Sequence, residues 1–485
     1  MSKEFVNHLS NGMNVAYTEN GAQARATTNS NVLDLFSKIG ALRNGVGAGN
    51  SLSLFRKAFS ENPLLTLKAL FWARDIRGGA GERETFKIFM KDLVKSGFIS
   101  VIKKNLHLIP EYGRWDDLWM FLDEKELKND VIQLVKNKLK EDSSSKNPSL
   151  LAKWLPSENT SSKETVRYAK IIIEGLGITP RQYRKILSKL RNDLNIVEKN
   201  LTQKKYSNIV YEHVPSRASL LYKKAFTRHD QVRYTTYLQK VLSGEKKINS
   251  AALFPYEIVQ KYTGIYSTDA TLEALWKNLP NYIQNSDDSL VVADVSGSML
   301  GIPMDVCISL ALYIAERNHG CWKDKFITFS ENPSIQSVIG NTLFERIINL
   351  SRAHWGMSTD IEKVFDILLK TGKENHLPKD KMIKKVIIIS DMEFNQASGR
   401  IDEKTLFQTI KKKWEKEKYE MPELVFWNVR ASKEQYPMAM GDGHFTYVSG
   451  SSPAICKYMF TNVKKDAYEL MLEVLESERY SKITV

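Results

Sequence analysis

The chain has 485 residues with 42% hydrophobic and 26% charged side chains, a composition that excludes a disordered or fibrous protein and predicts two to four folded domains. Its three cysteines form no C-x-x-C pair, so we expect no zinc site. No apolar stretch reaches the roughly 18 residues of a membrane span, so we expect a cytoplasmic protein and not a membrane protein. The formal net charge of +14 favours polyanionic partners.

The chain from about residue 31 to residue 279 has the periodicity of helices. Segments such as NVLDLFSKIGAL and RQYRKILSKLRNDL place apolar residues three and four positions apart. Segments rich in helix breakers, such as EDSSSKNPS, separate them. Because helix follows helix without intervening strands, we predict an all-α helical-repeat domain over residues 1–280.

Two short polar segments stand out in this half. RDIRGGAGER places Arg74 and Arg83 around glycines, where they either bind a phosphate or pair with the acids Asp75 and Glu82 of the same segment. We favour the second interpretation, a structural turn. YGRWDDLW has two interpretations, a site of acid catalysis or a buried helix start that its two aspartates cap. The spacing of its aromatic residues favours the helix start.

The segment 181–240 is strongly basic, with 14 Lys and Arg against 4 Asp and Glu. Tyrosines are interleaved with these cations, and phosphate neutralisation together with base stacking is what single-stranded RNA requires. We therefore favour an RNA-binding surface over ordinary solvated helix faces. The predicted RNA-binding residues are Arg181, Arg184, Lys185, Lys204, Lys205, Lys223, Lys224, Arg228 and Arg233. The interleaved tyrosines are Tyr183, Tyr206, Tyr211, Tyr222, Tyr234 and Tyr237.

The pattern changes near residues 275–288. Beyond this point the short β-branched or aromatic runs LVVADVS, KFITFS, KVIIISD and ELVFWNV alternate with helical segments. This alternation predicts an α/β domain with a doubly wound parallel sheet over residues 286–485.

Polar residues follow the first of these strands. Asp294, Ser296 and Ser298 occupy alternate positions of an extended loop and can therefore face one point. Thr359 at a helix start and Asp391 after a later strand complete a set of hard oxygen ligands suited to Mg²⁺ or Mn²⁺. The alternative is a helix cap without a metal. A haloacid-dehalogenase-like phosphatase is disfavoured because Ser296 stands where that family requires a second acid.

This D-V-S-G-S loop with a downstream threonine and aspartate resembles the metal-ion-dependent adhesion site of von Willebrand factor A domains. The resemblance implies one divalent cation, held directly or through water, and an acidic group of a partner that completes its shell. The implied ligands are Asp294, Ser296, Ser298, Thr359 and Asp391. The chain has Met357-Ser358-Thr359 where the family commonly has Gly-Gly-Thr.

Three segments of the helical half carry a second resemblance: TENGAQARATTNSNVLDLFSKIGALR, FWARDIRGGAGERETF and YGRWDDLW. They resemble a largely uncharacterised family with a helical first half and an A-type domain, which is similar in turn to the Ro or TROVE ribonucleoproteins. The resemblance implies HEAT-like helical repeats that bind structured small RNAs on a basic surface and single-stranded 3′ ends in a central hole.

We therefore predict a Ro-like RNA-binding protein with a magnesium-binding A-type domain and no enzymatic activity. One alternative is a metal-dependent protein-interaction or assembly module, such as a viral structural component, which binds an acidic partner and has no RNA role. A metal hydrolase would need a group that activates water, for which Glu393 is the only obvious candidate. The sequence leaves the oligomeric state open.

Overall fold

The computed structural model describes residues 14–17, 23–42, 47–262, 267–283, 289–328, 333–351, 361–392, 406–431, 436–438, 445–460 and 465–485. Over these residues the chain forms a helical first half and a second half with a mixed sheet of mostly parallel strands, which confirms the predicted order of the two parts. None of the helices in these ranges is long and apolar enough to cross a membrane.

The first half consists of helices preceded by a small antiparallel ribbon, β1 (Ala16–Tyr17) and β2 (Gln23–Ala24). Its helices are α1 (Asn31–Ile39), α2 (Leu52–Glu61), α3 (Pro63–Arg74), α4 (Arg83–Lys95), α5 (Ile99–Asn105), α6 (Ile109–Tyr112), α7 (Lys128–Ser144), α8 (Leu151–Trp154), α9 (Lys163–Leu176), α10 (Pro180–Asp193), α11 (Val197–Thr202), α12 (Ser216–His229), α13 (Gln231–Ser243), α14 (Pro255–Val259) and α15 (Ala270–Lys277). Short 3₁₀ turns lie at Leu106–Leu108, Trp115–Phe121, Tyr206–Asn208, Tyr211–His213 and Gln260–Tyr262.

Local sequence explains where these helices begin and end. Thr179 starts α10 with a reciprocal cap, because its hydroxyl accepts the Gln182 N–H and the Gln182 side chain accepts the Thr179 N–H. Pro180 fits the first turn, where no backbone donor is needed. α9 ends at Gly177, whose φ of 65° is a left-handed conformation that glycine adopts without strain. The turn between α9 and α10 is thereby confined to residues 177–179.

The second half is built on a six-stranded sheet in the order β5-β4-β3-β6-β7-β8. Its strands are β3 (Ser289–Ala293), β4 (Lys325–Thr328), β5 (Ile335–Ser337), β6 (Lys385–Ser390), β7 (Glu423–Asn428) and β8 (Phe445–Ser449). Its helices are α16 (Ile302–Arg317), α17 (Leu343–Ser351), α18 (Ile361–Glu374), α19 (Leu406–Lys416), α20 (Cys456–Met459) and α21 (Ala467–Leu475). Further 3₁₀ turns lie at Gly297–Met299, Gly320–Trp322, Lys379–Lys381, Pro453–Ile455 and Glu478–Tyr480.

All neighbouring strands of this sheet are parallel except β5, which pairs antiparallel with β4 at the edge. The strands β3, β6 and β7 are almost entirely buried, as expected of apolar strands covered on both faces. The chain order reverses at β3, because β4 pairs with one side of this strand and β6 with the other. In open sheets of this kind, ligands bind at the carboxyl ends of the strands beside such a reversal.

The two halves are joined where α1 packs against the edge strand β8. Ser449 Oγ donates a hydrogen bond of 3.0 Å to the Phe36 carbonyl and accepts one of 3.1 Å from the Gly40 N–H. A Cβ atom at Gly40 would lie 2.6 Å from the Ser449 carbonyl oxygen, so only glycine permits this approach. Helix α1 is therefore part of the packing around the sheet.

The segment after α21 returns to the helical half. Asp75, directly after α3, accepts a hydrogen bond of 2.6 Å from Arg479 Nη2 and one of 3.0 Å from the Tyr480 hydroxyl. The Tyr112 hydroxyl donates to the Arg479 carbonyl, and burial raises the pKa of Tyr112 to about 12. These contacts form a second connection between the two halves.

A buried ion-pair network lies beside this connection. Arg74 Nη2 is 2.6 Å from Asp117 Oδ2, and both side chains are at most 2% exposed. Arg83 reaches Asp117 at 2.6 Å and Asp116 at 2.7 Å, and Arg114 reaches Asp116 at 2.9 Å. Burial alone would raise the pKa of Asp117, but Arg74 and Arg83 hold it below its usual value. The carboxylate is therefore ionised in a site from which water is excluded.

The network unites the two polar segments that the sequence singled out. The structural interpretation of RDIRGGAGER is supported, but the partners of Arg74 and Arg83 come from YGRWDDLW, and Asp75 binds Arg479 instead. Asp117 also accepts the Arg114 N–H at 2.9 Å at the start of the 3₁₀ turn, so the predicted cap is found for Asp117. It is not found for Asp116, which pairs with Arg83 and Arg114 instead.

Replacing Asp117 tests how far the fold depends on this network. Asp117→Asn leaves Arg74 buried without an anionic partner, so we expect a loss of about 3–5 kcal/mol in the free energy of unfolding, measured by urea denaturation. Asp123→Asn is the matched control, because the Asp123–Arg167 pair is about half exposed (45% and 48%) and its loss should cost at most about 1 kcal/mol. Equal losses in the two variants would contradict this account.

Candidate functional site

Two aspartates lie at the carboxyl ends of adjacent central strands. Asp294 directly follows β3 and Asp391 directly follows β6, and the two strands are paired in register up to Ala293 and Ile389. Asp294 is fully buried and Asp391 is 5% exposed. The structure therefore brings these two predicted ligands to the point where the strand order reverses.

The loop after β3 arranges its polar groups around the Asp294 carboxylate. Asp294 Oδ1 accepts a hydrogen bond of 2.9 Å from the Ser296 N–H, and Oδ2 accepts one of 2.5 Å from the Ser390 hydroxyl. The hydroxyls of Ser296 and Ser298 are 3.1 Å apart. Three of the predicted ligands thus lie in one short loop, although Gly297–Met299 forms a 3₁₀ turn and not the extended backbone that the alternation predicted.

Burial and like charge act together at this site. Burial first, and then the nearby Asp391 carboxylate, raise the pKa of Asp294 from its usual value to about 6, against the opposing effect of hydrogen bonds from Ser296 and Ser390. The buried Cys307 thiol donates to the Ile389 carbonyl at 3.4 Å, and burial raises its pKa as well. Near neutral pH the site thus concentrates negative charge in a place that favours a cation.

The donor set fits a hard divalent cation. It combines two carboxylates with two serine hydroxyls, and oxygen ligands of this kind suit Mg²⁺ or Mn²⁺. Within the described ranges no group of three or more His, Cys, Asp or Glu side chains could hold a metal, so a cation at this site would need the serine hydroxyls as ligands. The predicted ligand Thr359 and the candidate base Glu393 lie outside the described residues.

The sequence analysis missed two side chains at this edge of the sheet. Ser390, the last residue of β6, bonds to Asp294, and its position directly before Asp391 was the available signal. Arg430, just after β7, is exposed and donates a hydrogen bond to the Ser298 carbonyl. Leu300 in the same loop is 75% exposed. The rim of the site therefore presents a cation and an apolar side chain.

The predicted RNA-binding residues separate into two groups. Arg181, Arg184, Lys185, Lys204, Lys205, Lys224, Arg228 and Arg233 are exposed, whereas Lys223 is largely buried. Lys223 Nζ is 2.5 Å from Asp269, and Arg184 pairs with Glu158 at 2.9 Å. Arg233 donates to three backbone carbonyls, those of Tyr206, Ser207 and Ile209. Lys223 and Arg233 therefore contribute mainly to the fold.

Most of the interleaved tyrosines are core residues. Tyr183, Tyr211, Tyr234 and Tyr237 are at most 7% exposed. Their hydroxyls are hydrogen-bonded, for example Tyr183 to the Pro156 carbonyl at 2.8 Å and Tyr211 to Asp230 at 2.7 Å. The hypothesis that these four rings stack on bases is therefore wrong, because helical packing covers them. Tyr206 and Tyr222 are only partly buried.

The raised pKa of Asp294 predicts that removal of its charge stabilises the metal-free protein. Because the folded-state pKa is raised, the metal-free protein is most stable when Asp294 is protonated, and this stability is lost as the pH rises from about 4 through about 6. In EDTA at pH 7.5 we expect Asp294→Asn to unfold at a higher temperature than the unmodified protein, and at pH 4 at the same temperature. A lower unfolding temperature for the variant at pH 7.5 would contradict the raised pKa of Asp294.

Comparison with known proteins gives matches along most of the chain. Residues 18–96 and 163–292 match a family model described as a domain of unknown function, DUF2828, and residues 288–483 match a second one, DUF7788. Among solved structures, that of the Ro (RSR) protein of Deinococcus radiodurans aligns with 95% of this chain and 96% of its own, at 13% identity and a TM-score of 0.39. A likeness at this level carries no argument about fold or function.

The chain is also similar in sequence to a protein of Acanthamoeba polyphaga mimivirus that is described as uncharacterised. It is 30% identical to this chain over 506 residues, and the alignment covers 96% of this chain and 87% of the viral protein. The chain therefore belongs to the same family as this mimivirus protein.

Proposed function

We propose that the protein binds RNA through the exposed basic surface of α10–α13 and does so as a Ro-like ribonucleoprotein, with HEAT-like helices joined to a von Willebrand factor A-like domain. Binding, rather than catalysis, is the proposed activity. The segments that resemble the Ro family support the proposal, and the strand order around β3 is compatible with an A-type domain.

The observation that carries this proposal is a set of exposed cations without acidic partners. They are Arg181, Lys185, Lys189, Lys204, Lys205, Lys224, Arg228 and Lys240. Across the ranges that the structure describes, none of them forms an ion pair with Asp or Glu, whereas other cations of the same helices do. Lys189 and Lys240 were not among the predicted residues. Cations that remain unpaired are available to neutralise phosphates and release counterions.

Charge reversal tests the proposal. The triple variant Lys204→Glu/Lys205→Glu/Arg228→Glu removes three such cations, so affinity for a small RNA should fall at low salt. The slope of log K against log[salt] should become shallower by about 0.7 for each lost contact to a single strand. Fluorescence anisotropy over a salt series measures both quantities.

The matched control reverses three exposed lysines of the other half, in Lys379→Glu/Lys381→Glu/Lys418→Glu. These side chains also form no ion pair within the described ranges, so the change in net charge is the same. If the protein binds no RNA, or if both triple variants lose affinity equally, the proposed surface is wrong.

We also propose that Mg²⁺ or Mn²⁺ binds at the carboxyl ends of β3 and β6. Asp294, Asp391 and the hydroxyls of Ser296 and Ser298 would hold the ion, with Thr359 as a further proposed ligand. The support is the pair of buried carboxylates on adjacent strands beside two hydroxyls. When bound, the cation would offset the repulsion between the carboxylates and could accept an anionic group of a partner.

Mn²⁺ titration followed by electron paramagnetic resonance tests this metal site. We expect one bound ion in the unmodified protein and none in Ser296→Ala/Ser298→Ala, which keeps both carboxylates but removes the hydroxyl donors. Asp305→Asn is the control, since its carboxylate lies on the nearby α16 and hydrogen-bonds Gln260 at 3.2 Å instead. Unchanged binding in the serine variant would contradict the assigned ligands.

A second candidate function is a metal-dependent protein-interaction module with no RNA role. Arg430 and the exposed Leu300 favour it, because they place a cation and an apolar contact beside the metal loop. Together with a divalent ion they would suit a partner segment that carries an acidic residue next to an apolar one. EDTA would release such a partner, whereas RNA bound to the basic surface would stay.

A further inference from the structure

We propose that an unpaired RNA strand follows the groove between α10 and α11 to the aromatic pair Tyr206–His229, where one base stacks. This inference rests on the RNA-binding function proposed above and assigns it a site and a strand type.

The aromatic pair is a ready surface for a base. The rings of Tyr206 and His229 stack with centroids 4.9 Å apart and an angle of 22° between their planes. His229 is exposed and Tyr206 is partly exposed, unlike the four buried tyrosines of the same segment. A nucleobase that joins such a pair extends an existing stack, an interaction that tolerates any base sequence.

The loop that carries Tyr206 is held by Arg233. From α13 this side chain donates hydrogen bonds of 2.7 Å to the Ser207 carbonyl and 2.6 Å to the Ile209 carbonyl. Arg233 also lies over the buried Tyr211 ring, 5.5 Å from its centroid. Tyr206 is thus positioned before any ligand binds, which lowers the entropy cost of ordering the site.

Three cations are neighbours of the pair in the sequence. Lys204 and Lys205 directly precede Tyr206, and Arg228 directly precedes His229. All three are exposed, and in the described part of the chain none of them pairs with an acid. Phosphates on either side of a stacked base would therefore meet positive charge.

The groove gives the rest of the strand a path. It encloses about 750 Å³ and is lined by Arg184 and Ser188 of α10 and by Lys199 and Thr202 of α11. Two carboxylates, Glu158 and Glu198, also line it, and they are neutralised by ion pairs with Arg184 and Lys153. Gln203 also lines the groove and lies three residues before Tyr206, a separation that the backbone spans in at most about 10 Å. A strand that leaves the groove at Gln203 is therefore within reach of the aromatic pair.

This arrangement selects unpaired RNA. A base within a duplex is already stacked on its neighbours and cannot lie on a side chain unless the helix opens. Cations alone would bind both forms through their phosphates. The aromatic pair should therefore distinguish a single strand from a duplex, and the lysines should not.

The test measures the affinity of the full chain for a labelled 12-nucleotide oligouridine and for a 12-base-pair RNA duplex by fluorescence anisotropy. Tyr206→Ser and His229→Ser should each weaken binding of the single strand about tenfold and leave duplex binding unchanged. Tyr206→Phe keeps the ring and should bind like the unmodified protein.

Tyr17→Ser is the control, because Tyr17 is 65% exposed but lies in β1, away from the basic segment. Should Tyr206→Ser fail to fold, His229→Ser still tests the pair, because its side chain is exposed. Unchanged single-strand affinity in both serine variants, or equal losses for strand and duplex, would overturn this inference while leaving RNA binding intact. If the unmodified protein binds neither RNA, the proposed function itself fails.

Discussion

The buried carboxylate of Asp75, at the end of α3, connects the two halves of the molecule. Arg74 is paired in the interior with Asp117 of the helical half, and Asp75 binds Arg479 and Tyr480 from the segment that follows the sheet. Because these charges are withdrawn from water, each needs its partner, and a shift of either half would leave a charge buried alone. The end of α3 is therefore a fixed junction.

The molecule has two polar surfaces with different chemistry, one in each half. At the carboxyl edge of the sheet, Asp294 and Asp391 concentrate negative charge in a buried place, which suits a small cation. On α10–α13, cations stand exposed and without acidic partners in the described part of the chain, which suits a polyanion. The proposed roles follow from this contrast, since one site would bind an ion through buried ligands and the other would bind phosphates through exposed side chains.

Features that depend on local pattern were predictable from the sequence. The apolar strands β3 and β6 and the acids that follow them could be recognised, because a buried parallel strand is a continuous apolar run and its end faces the ligand edge. The helical first half was equally evident from its periodicity.

Features that depend on distant contacts were not predictable. Lys223 appeared to be a free cation, but its partner Asp269 is 46 residues away, and Arg430 reaches the Ser298 loop across 132 residues. The interleaved tyrosines looked alike in sequence, yet packing buries Tyr183 and leaves Tyr206 partly exposed. Residue type and spacing do not distinguish such cases, because exposure is set by the tertiary arrangement.

Whether the helical half binds RNA can be measured by ultraviolet crosslinking followed by mass spectrometry of the nucleotide–peptide adducts. We expect adducts on peptides from residues 181–240, including the peptide that contains Tyr206. An absence of adducts, or adducts confined to peptides of the sheet domain, would contradict this expectation.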